Sequence, residues 1–227
     1  MLLALDTATR LISLALHDGQ NLLAETTWNS DNNHTVELSP AIQRMLAQCG
    51  AAFSDLTGLA VSVGPGSYSG LRIGMALAKG IASVHHLPLV GISTLDVIAA
   101  GQPHIQGQSA LVAVVQAGRG RVIAGRYRWS KGLWQPRGEP HLMDWDTLFA
   151  SIDGAALLTG EINAAGFTAL EAAQANDVPV KLMPPVYRLR RAGFLAEVAW
   201  ERLQTDPAGF DPAFVLPFYV KTKDIPS

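Results

Sequence analysis

The sequence predicts an α/β fold in which one pattern, a β-meander followed by alternating helices and strands, occurs twice. Three short runs of β-forming residues near the amino terminus are separated by tight turns, which is typical of a meander. From residue 59 to about residue 100, short apolar runs alternate with segments of helical periodicity, the pattern of an α/β protein. A second, degraded copy of this order is indicated after residue 108.

Composition limits the function classes. The 227 residues are 48% hydrophobic and 16% charged, enough for one large domain or two small ones with their own cores. The formal net charge of -2 gives no overall basic surface for nucleic acid. A single cysteine, Cys49, excludes an internal disulfide and fits a reducing compartment. No apolar run approaches the roughly 18 residues of a membrane span, so we expect a cytoplasmic protein without a membrane segment.

The first half is predicted to run β-β-β-α-β-α-β-α. Its first helix places apolar side chains on one face and ends at Gly50, a residue type that often follows a helix. The predicted strands cover residues 2–5, 11–16, 21–28, 59–63 and 87–92, and the predicted helices cover 34–49, 67–85 and a segment opening at 93.

The second half begins after residues 101–108, a polar segment whose two glycines and one proline favour a linker. Strands are predicted at 110–116, 122–127, around 134, at 155–159 and at 180–183, and helices at 164–175 and 192–203. We therefore predict a first domain of residues 1–103 and a degenerate second domain of residues 104–227. The last helix is expected to be able to pack back on the first domain.

The glycine-rich stretch SVGPGSYSGLRIGMALAKG, residues 62–80, matches neither standard phosphate-binding motif. Ser69 stands where the dinucleotide fingerprint and the Walker loop each require a glycine. Gly64 and Gly66, followed by Ser67 as an N-cap, are consistent either with a sharp turn or with an anion site at a helix N-terminus. The segment that holds Asp6, Thr7 and Thr9 is open to the same two interpretations: turn capping, or binding of a metal–nucleotide.

Small residues recur every four positions in the predicted second helix, at 70, 74, 78 and 82. Glycine within a helix costs about 1 kcal/mol relative to alanine, so two glycines need a reason such as close approach of another backbone. This thin face either packs on the chain's own sheet or receives a helix of another chain. The spacing alone does not decide between the two; if the second holds, Gly70→Leu or Gly74→Leu should weaken assembly more than folding.

The histidine and basic residues of the sequence do not predict an active site. Four residues after His34 stands Leu38, so the pair of histidines that a helical metal site needs is missing, and no metal site is predicted. Basic residues form two groups that are consistent with a solvated surface or, alternatively, with RNA contacts. They are Arg119, Arg121, Arg126, Arg128 and Lys131 in the first group, and Arg188, Arg190 and Arg191 in the second.

Four motifs together resemble one family. ALDTAT at 4–9, HTVELSP at 34–40, GPGSYSGLRIGMALAKG at 64–80 and LPLVGISTL at 87–95 are similar to the TsaB (YeaZ) family, which is related to proteins labelled glycoprotease or peptidase M22. This resemblance implies a duplicated actin-like or sugar-kinase-like fold. It also implies a non-catalytic subunit that activates TsaD, the enzyme that transfers threonylcarbamoyl to adenosine 37 of tRNA. TsaE, an ATPase, is implied as a further partner.

The resemblance also implies site residues. The catalytic paralogue binds its metal with two histidines four apart on the first helix, where this chain has His34 and Leu38. The first two helices are implied as the docking face for TsaD, and the small-residue row of the second helix would then receive a helix of that partner. The residues implied are His34, Glu37, Leu38, Ile42, Met45, Leu46, Gly70, Arg72, Gly74, Met75 and Ala78. Vestigial phosphate loops are expected at Asp6, Thr7, Thr9, Gly64, Gly66 and Ser67.

Several further expectations follow from the resemblance. We expect a homodimer when the chain is alone, indirect or weak contact with tRNA, and no cofactor of its own, with ATP or ADP held only at the interface of the assembled complex. The hairpin of the second domain has Gln116, Gly118 and Arg121 where the family often has Asp, Arg and Glu, which leaves its role open. The alternative function is an independent ATPase or small-molecule kinase that holds phosphates and magnesium with the same loops.

Overall fold

The computed structural model describes residues 1–31, 33–206 and 209–220. The chain forms two compact units. Unit 1 contains residues 1–97 and 191–218, and unit 2 contains residues 98–190 together with Tyr219 and Val220. None of the helices in the described ranges has the length and apolar character needed to span a bilayer.

The elements follow the predicted order closely. The first half contains β1 Leu2–Asp6, β2 Leu11–His17, β3 Leu22–Asn29, α1 His34–Gln48, β4 Gly58–Gly64, α2 Tyr68–His85, β5 Leu89–Ser93 and α3 Thr94–Ala100. The second half contains β6 Ala110–Gln116, β7 Val122–Ser130, β8 Leu133–Pro136, β9 His141–Met143, α4 Trp145–Ala150, β10 Ala156–Gly160, α5 Ala164–Ala175, β11 Val180–Leu182, α6 Pro185–Arg188 and α7 Ala192–Thr205. Short 3-10 helices lie at Phe53–Asp55 and Pro212–Phe214.

The two sheets share one topology. The sheet of unit 1 has the strand order β3-β2-β1-β4-β5, and the main path of the sheet in unit 2 is β8-β7-β6-β10-β11. In both sheets the first three strands along the chain pair antiparallel and the other two are parallel to the first strand. The α/β class and the repetition of a meander followed by helices and strands are therefore confirmed.

The sheet of unit 1 is covered on both faces. Because side chains alternate along a strand, Leu3 and Leu5 of β1 face the core that α1 and α2 complete, whereas Leu2 and Ala4 face the core that α7 completes. All five residues of β1 are buried. The loops that follow β1 and β4 are therefore held on a rigid platform.

Helix α7 belongs to unit 1. Its apolar side packs on the sheet of that unit, and two side chains from the sheet cap its first turn. The Ala192 amide donates to Ser13 Oγ at 2.8 Å, and the Gly193 amide donates to Glu25 Oε1 at 2.7 Å. The chain thus passes into unit 2 at residue 98 and returns at residue 191. The sequence placed the last helix in the second domain, with the expectation that it could pack back on the first. Residues 221–227 of that predicted domain lie outside the described residues.

Unit 2 has its own core. One face of its sheet packs against α4 and α5 through residues such as Val112, Leu158 and Leu148. A buried ion pair joins Arg190, which is 1% exposed, to Glu161 with 2.8 Å between Nη1 and Oε1. The other carboxylate oxygen of Glu161 accepts a bond from the Gln116 amide at 3.3 Å. Glu161 therefore links the end of β6 to the chain segment that leads into α7.

Candidate functional site

The loops after β1 and β4 lie against each other in unit 1. The Ser67 amide donates to the Ala8 carbonyl oxygen at 2.6 Å, and Thr7 Oγ1 donates to the Gly70 carbonyl oxygen at 2.8 Å. The Ala8 amide in turn donates to Asp6 Oδ1 at 3.0 Å. The structure thus brings together Asp6 and Thr7 from the first predicted phosphate loop and Ser67 from the second.

Ser67 caps α2, as the sequence predicts. Its side chain accepts the Gly70 amide, and its backbone is extended, as is typical of an N-cap. Gly64 adopts a φ of 115°, which favours glycine, and a Cβ there would lie 2.4 Å from the Phe218 carbonyl oxygen. The turn is therefore shaped by close packing within unit 1.

Two of the candidate phosphate donors at this turn are used within the chain. Phosphate binding at a helix N-terminus needs free backbone or hydroxyl donors that point at the ligand. The Thr7 hydroxyl and the Ser67 amide already donate to carbonyl oxygens of this chain. A Cβ at Gly66 would lie 2.2 Å from the Ala8 carbonyl oxygen, so the space beside the turn is filled by the chain itself.

The glycine face of α2 packs on the chain's own loop. A Cβ at Gly70 would lie 2.3 Å from the Thr7 carbonyl oxygen, and one at Gly74 would lie 2.1 Å from Thr7 Oγ1. Ala78 and Ala82 continue this face and are buried. The prediction that the thin face receives a helix of another chain is therefore wrong, because the loop after β1 occupies that space.

The opposite side of α2 is accessible. We call it the outer face of α2: it has an exposed row at four-residue spacing, flanked by a half-buried apolar row. The exposed row is Tyr68, Arg72, Ala76, Gly80 and Val84, and the half-buried row is Ile73, Leu77 and Ile81. Val84 is 73% exposed and Tyr68 is 58% exposed, with the Arg72 guanidinium 4.0 Å from the centre of the Tyr68 ring.

Nine of the eleven residues named for the docking face lie in the interior of unit 1. They are His34, Leu38, Ile42, Met45, Leu46, Gly70, Gly74, Met75 and Ala78. The apolar stripe of an amphipathic helix covers the helix's own sheet, and these residues lie on that stripe. Glu37 is half-buried and Arg72 is exposed, so in the structure both side chains have surface that another protein could contact.

His34 has a structural role. Its Nε2 atom lies 3.1 Å from the Thr9 carbonyl oxygen, and its side chain is buried. Leu38, one turn later, is 1% exposed and belongs to the core of unit 1. Among the residues that the structure describes, no three or more His, Cys, Asp or Glu side chains form a group that could hold a metal ion.

A cleft of about 610 Å³ separates α1 from the edge strand β3. Across it, Trp28 Nε1 donates to Glu37 Oε2 at 2.9 Å. Hydrogen bonds from Trp28 and then Ser30 hold the pKa of Glu37 below its ordinary value. The sequence did not indicate this pairing, because Trp28 and Glu37 lie on different elements and match no motif.

Comparisons with known proteins place this geometry in a family. Residues 21–146 match the family model described as "TsaD: tRNA N6-adenosine threonylcarbamoyltransferase". The "tRNA threonylcarbamoyladenosine biosynthesis protein TsaB" of Bacillus subtilis is 33% identical over 162 residues, which cover 70% of this chain and 70% of the relative. The chain belongs to the TsaB family.

Further comparisons support membership of the TsaB family. The protein of the same description from Escherichia coli is 35% identical over 134 residues, which cover 59% of this chain and 58% of the relative. The solved structure "YeaZ from Pseudomonas aeruginosa" covers 96% of this chain and 99% of its own, with a TM-score of 0.76 and 24% identity. That likeness shows the fold, and the resemblance read from the four sequence motifs is confirmed.

A more distant structure shares the fold. The (R)-2-hydroxyglutaryl-CoA dehydratase component A of Acidaminococcus fermentans covers 89% of this chain and 98% of its own, with a TM-score of 0.51 and 12% identity. At that identity the likeness concerns only the arrangement of strands and helices. The duplicated actin-like architecture that the TsaB family resemblance implies is the fold of this chain.

Proposed function

We propose that this chain is a non-catalytic scaffold subunit required for threonylcarbamoyl transfer to adenosine 37 of tRNA. It acts by binding and activating a TsaD-type catalytic subunit. The assignment to tRNA threonylcarbamoyladenosine biosynthesis is supported by two relatives that are described as proteins of that process. The subunit role rests on the geometry of unit 1.

The outer face of α2 is the observation that carries this proposal. Ile73, Leu77 and Ile81 pack on the core of unit 1 yet keep part of their surface exposed, and apolar surface that remains exposed favours a face covered in an assembly. Val84 and Tyr68 stand at opposite ends of this face, 16 residues and therefore about 24 Å apart along the helix axis. Arg72 lies between them, exposed, with its guanidinium over the Tyr68 ring.

The assignment of catalysis to the partner is supported at α1. His34 is engaged with Thr9, and Leu38 fills the position where the catalytic paralogue has its second histidine. We include in the proposal a homodimer through the outer face of α2 when the catalytic subunit is absent, and a TsaE-type ATPase as a further component. Any ATP or ADP is held at the interface of the assembled complex.

Reconstitution tests this function. Unmodified tRNA and threonylcarbamoyl-adenylate are incubated with the TsaD-type subunit, with and without this chain, and the nucleosides are analysed. Modified adenosine is expected only when both proteins are present. Equal modification by the catalytic subunit alone would contradict the proposal.

Calorimetry with magnesium-ATP on the isolated chain separates the proposal from an independent ATPase. We expect no saturable heat and no turnover, because the Thr7 and Ser67 donors are engaged. Tight binding with hydrolysis by the isolated chain would favour the ATPase instead.

A further inference from the structure

One segment of unit 2 is basic without any acidic residue. Between residues 97 and 138 the chain has six of its 17 Lys and Arg residues and none of its 19 Asp and Glu residues. The cations are Arg119, Arg121, Arg126, Arg128, Lys131 and Arg137. Because charges more than about 10 Å apart are largely screened at ordinary salt, this local excess matters more to a partner than the net charge of the chain.

Strand pairing spreads these cations along one hairpin, residues 116–138, which we call the basic hairpin. Arg119 and Arg121 lie in the turn before β7, and Lys131 lies in the turn after it. The nine residues of β7 separate the two turns by about 30 Å. Arg119, Arg128, Lys131 and Arg137 are exposed, so four cations are accessible along this length.

Three arginines share one face of the basic hairpin. Arg126 pairs with Val112, a residue of the core that α4 covers, and Arg128 lies two positions further on the same face. The Arg137 amide donates to the Arg126 carbonyl oxygen at 2.7 Å, which extends the pairing of β8 with β7 by one residue and brings Arg137 beside Arg126. These side chains therefore form a row at the end of the face that α4 covers.

Arg126 is held in place by the protein. Its Nη2 atom donates to the Ser151 carbonyl oxygen at 3.1 Å and to Ser151 Oγ at 2.6 Å. Glu139 is the first acidic residue after the hairpin and is exposed. No ion pair involves Arg128 or Arg137 within the ranges that the structure describes. The outer two cations of the row are thus available to an external anion.

We infer that the basic hairpin of unit 2 contacts the phosphate backbone of tRNA, an inference that rests on the proposed function. A guanidinium matches the geometry of a phosphate group. Cations distributed along an extended surface can each contact one of the regularly spaced phosphates of RNA, and each contact adds to the affinity. Such contacts position RNA without reading its sequence. The chain would thus contact tRNA directly, in place of the indirect or weak contact that the family resemblance implied, and in addition to the docking face proposed for the catalytic subunit.

The test compares Arg128→Gln/Arg137→Gln with a charge-matched control, Arg10→Gln/Lys181→Gln. All four side chains are exposed, and the control pair lies outside the basic hairpin. Affinity for an unmodified tRNA transcript is measured by fluorescence anisotropy at several salt concentrations, on the assembly with the TsaD-type subunit and on the chain alone. Arg128→Lys/Arg137→Lys, which keeps the charge, serves as the conservative variant.

We expect the glutamine pair to bind tRNA about tenfold more weakly than wild type at moderate salt, with a log–log salt slope lower by about two. A tRNA of unrelated sequence should lose affinity equally, and the lysine variant should retain most of the binding. The control pair should resemble wild type. Unchanged affinity and slope in the glutamine pair, or an equal loss in the control pair, would overturn the inference.

Two further readouts separate this inference from its alternatives. If the glutamine pair loses binding to phosphatidylserine vesicles but not to tRNA, the hairpin is a membrane contact and the inference is overturned. Co-elution with the catalytic subunit and modification by the wild-type assembly report on the proposed function itself. If the glutamine pair still co-elutes with the catalytic subunit and binds tRNA as wild type does, the contact of the basic hairpin with tRNA is wrong and the proposed function still stands.

Discussion

The hydroxyl group of Thr7 donates a hydrogen bond to the carbonyl oxygen of Gly70, with 2.8 Å between the two oxygen atoms. This bond ties the loop after β1 to the first turn of α2. It also explains the glycines of that helix, because side chains at positions 70 and 74 would collide with Thr7. The helix is thin on this side so that it can approach its own loop, and its bulkier residues keep part of their surface exposed.

Gly70→Ala is expected to destabilise the folded chain by about 1–3 kcal/mol, since the new methyl group would meet a backbone oxygen that cannot move freely. Gly80→Ala in the same helix is the matched control. Nothing lies within 4 Å of a Cβ at position 80, so that change should stabilise the chain by about 0.5–1 kcal/mol. Urea denaturation measures both. Equal stability of the two variants would show that the glycine face is open.

Ser13→Ala is expected to lower the free energy of unfolding by about 1–2 kcal/mol. The buried Ser13 hydroxyl accepts the first amide of α7, and its loss leaves that amide without this partner. Ser39→Ala, at an exposed position of α1, should stay within about 0.5 kcal/mol of wild type. Thermal or urea unfolding measures the free energy of unfolding of both variants. A neutral Ser13 variant would mean that α7 does not depend on this cap.

Glu37→Gln should weaken the pH dependence of stability. Because the pKa of Glu37 is lowered in the folded chain, its carboxylate adds stability above the ordinary value of 4.5. That contribution is lost as pH falls through the lower folded-state pKa. Melting curves taken from about pH 6 to about pH 3 should fall more steeply for wild type than for the variant. Parallel curves would contradict the bond from Trp28. Asp18 and Asp144, whose pKa values are also lowered, are common to both proteins.

Much of the fold could be predicted from the sequence. Strong periodicities and clear turn residues placed the long elements, including α1, α2 and the three strands of each meander, within a few residues of their observed bounds. The short elements β9, α4 and α6 were missed, because three to six residues carry too little periodicity to identify. The inclusion of α7 in unit 1 depends on contacts made by Ser13 and Glu25, far away in the sequence.

The orientation of α2 could not be predicted for a physical reason. Its small row and its bulky row are both compatible with packing on a sheet, and only the closeness of Thr7 selects the small one. Arg137 was also missed as part of the basic group. A count of acidic residues along the chain would have found it, because the segment without acids extends to residue 138.

Docking through the outer face of α2 is tested most directly by Val84→Asp, with Val186→Asp as the control. Both valines are largely exposed, at 73% and 63%, but Val186 lies in α6 of unit 2. Each variant is co-expressed with the TsaD-type subunit and analysed by size-exclusion chromatography after its melting temperature has been checked. We predict that Val84→Asp folds normally and elutes apart from the catalytic subunit, whereas Val186→Asp co-elutes with it. Co-elution of both variants at wild-type yield would contradict the account.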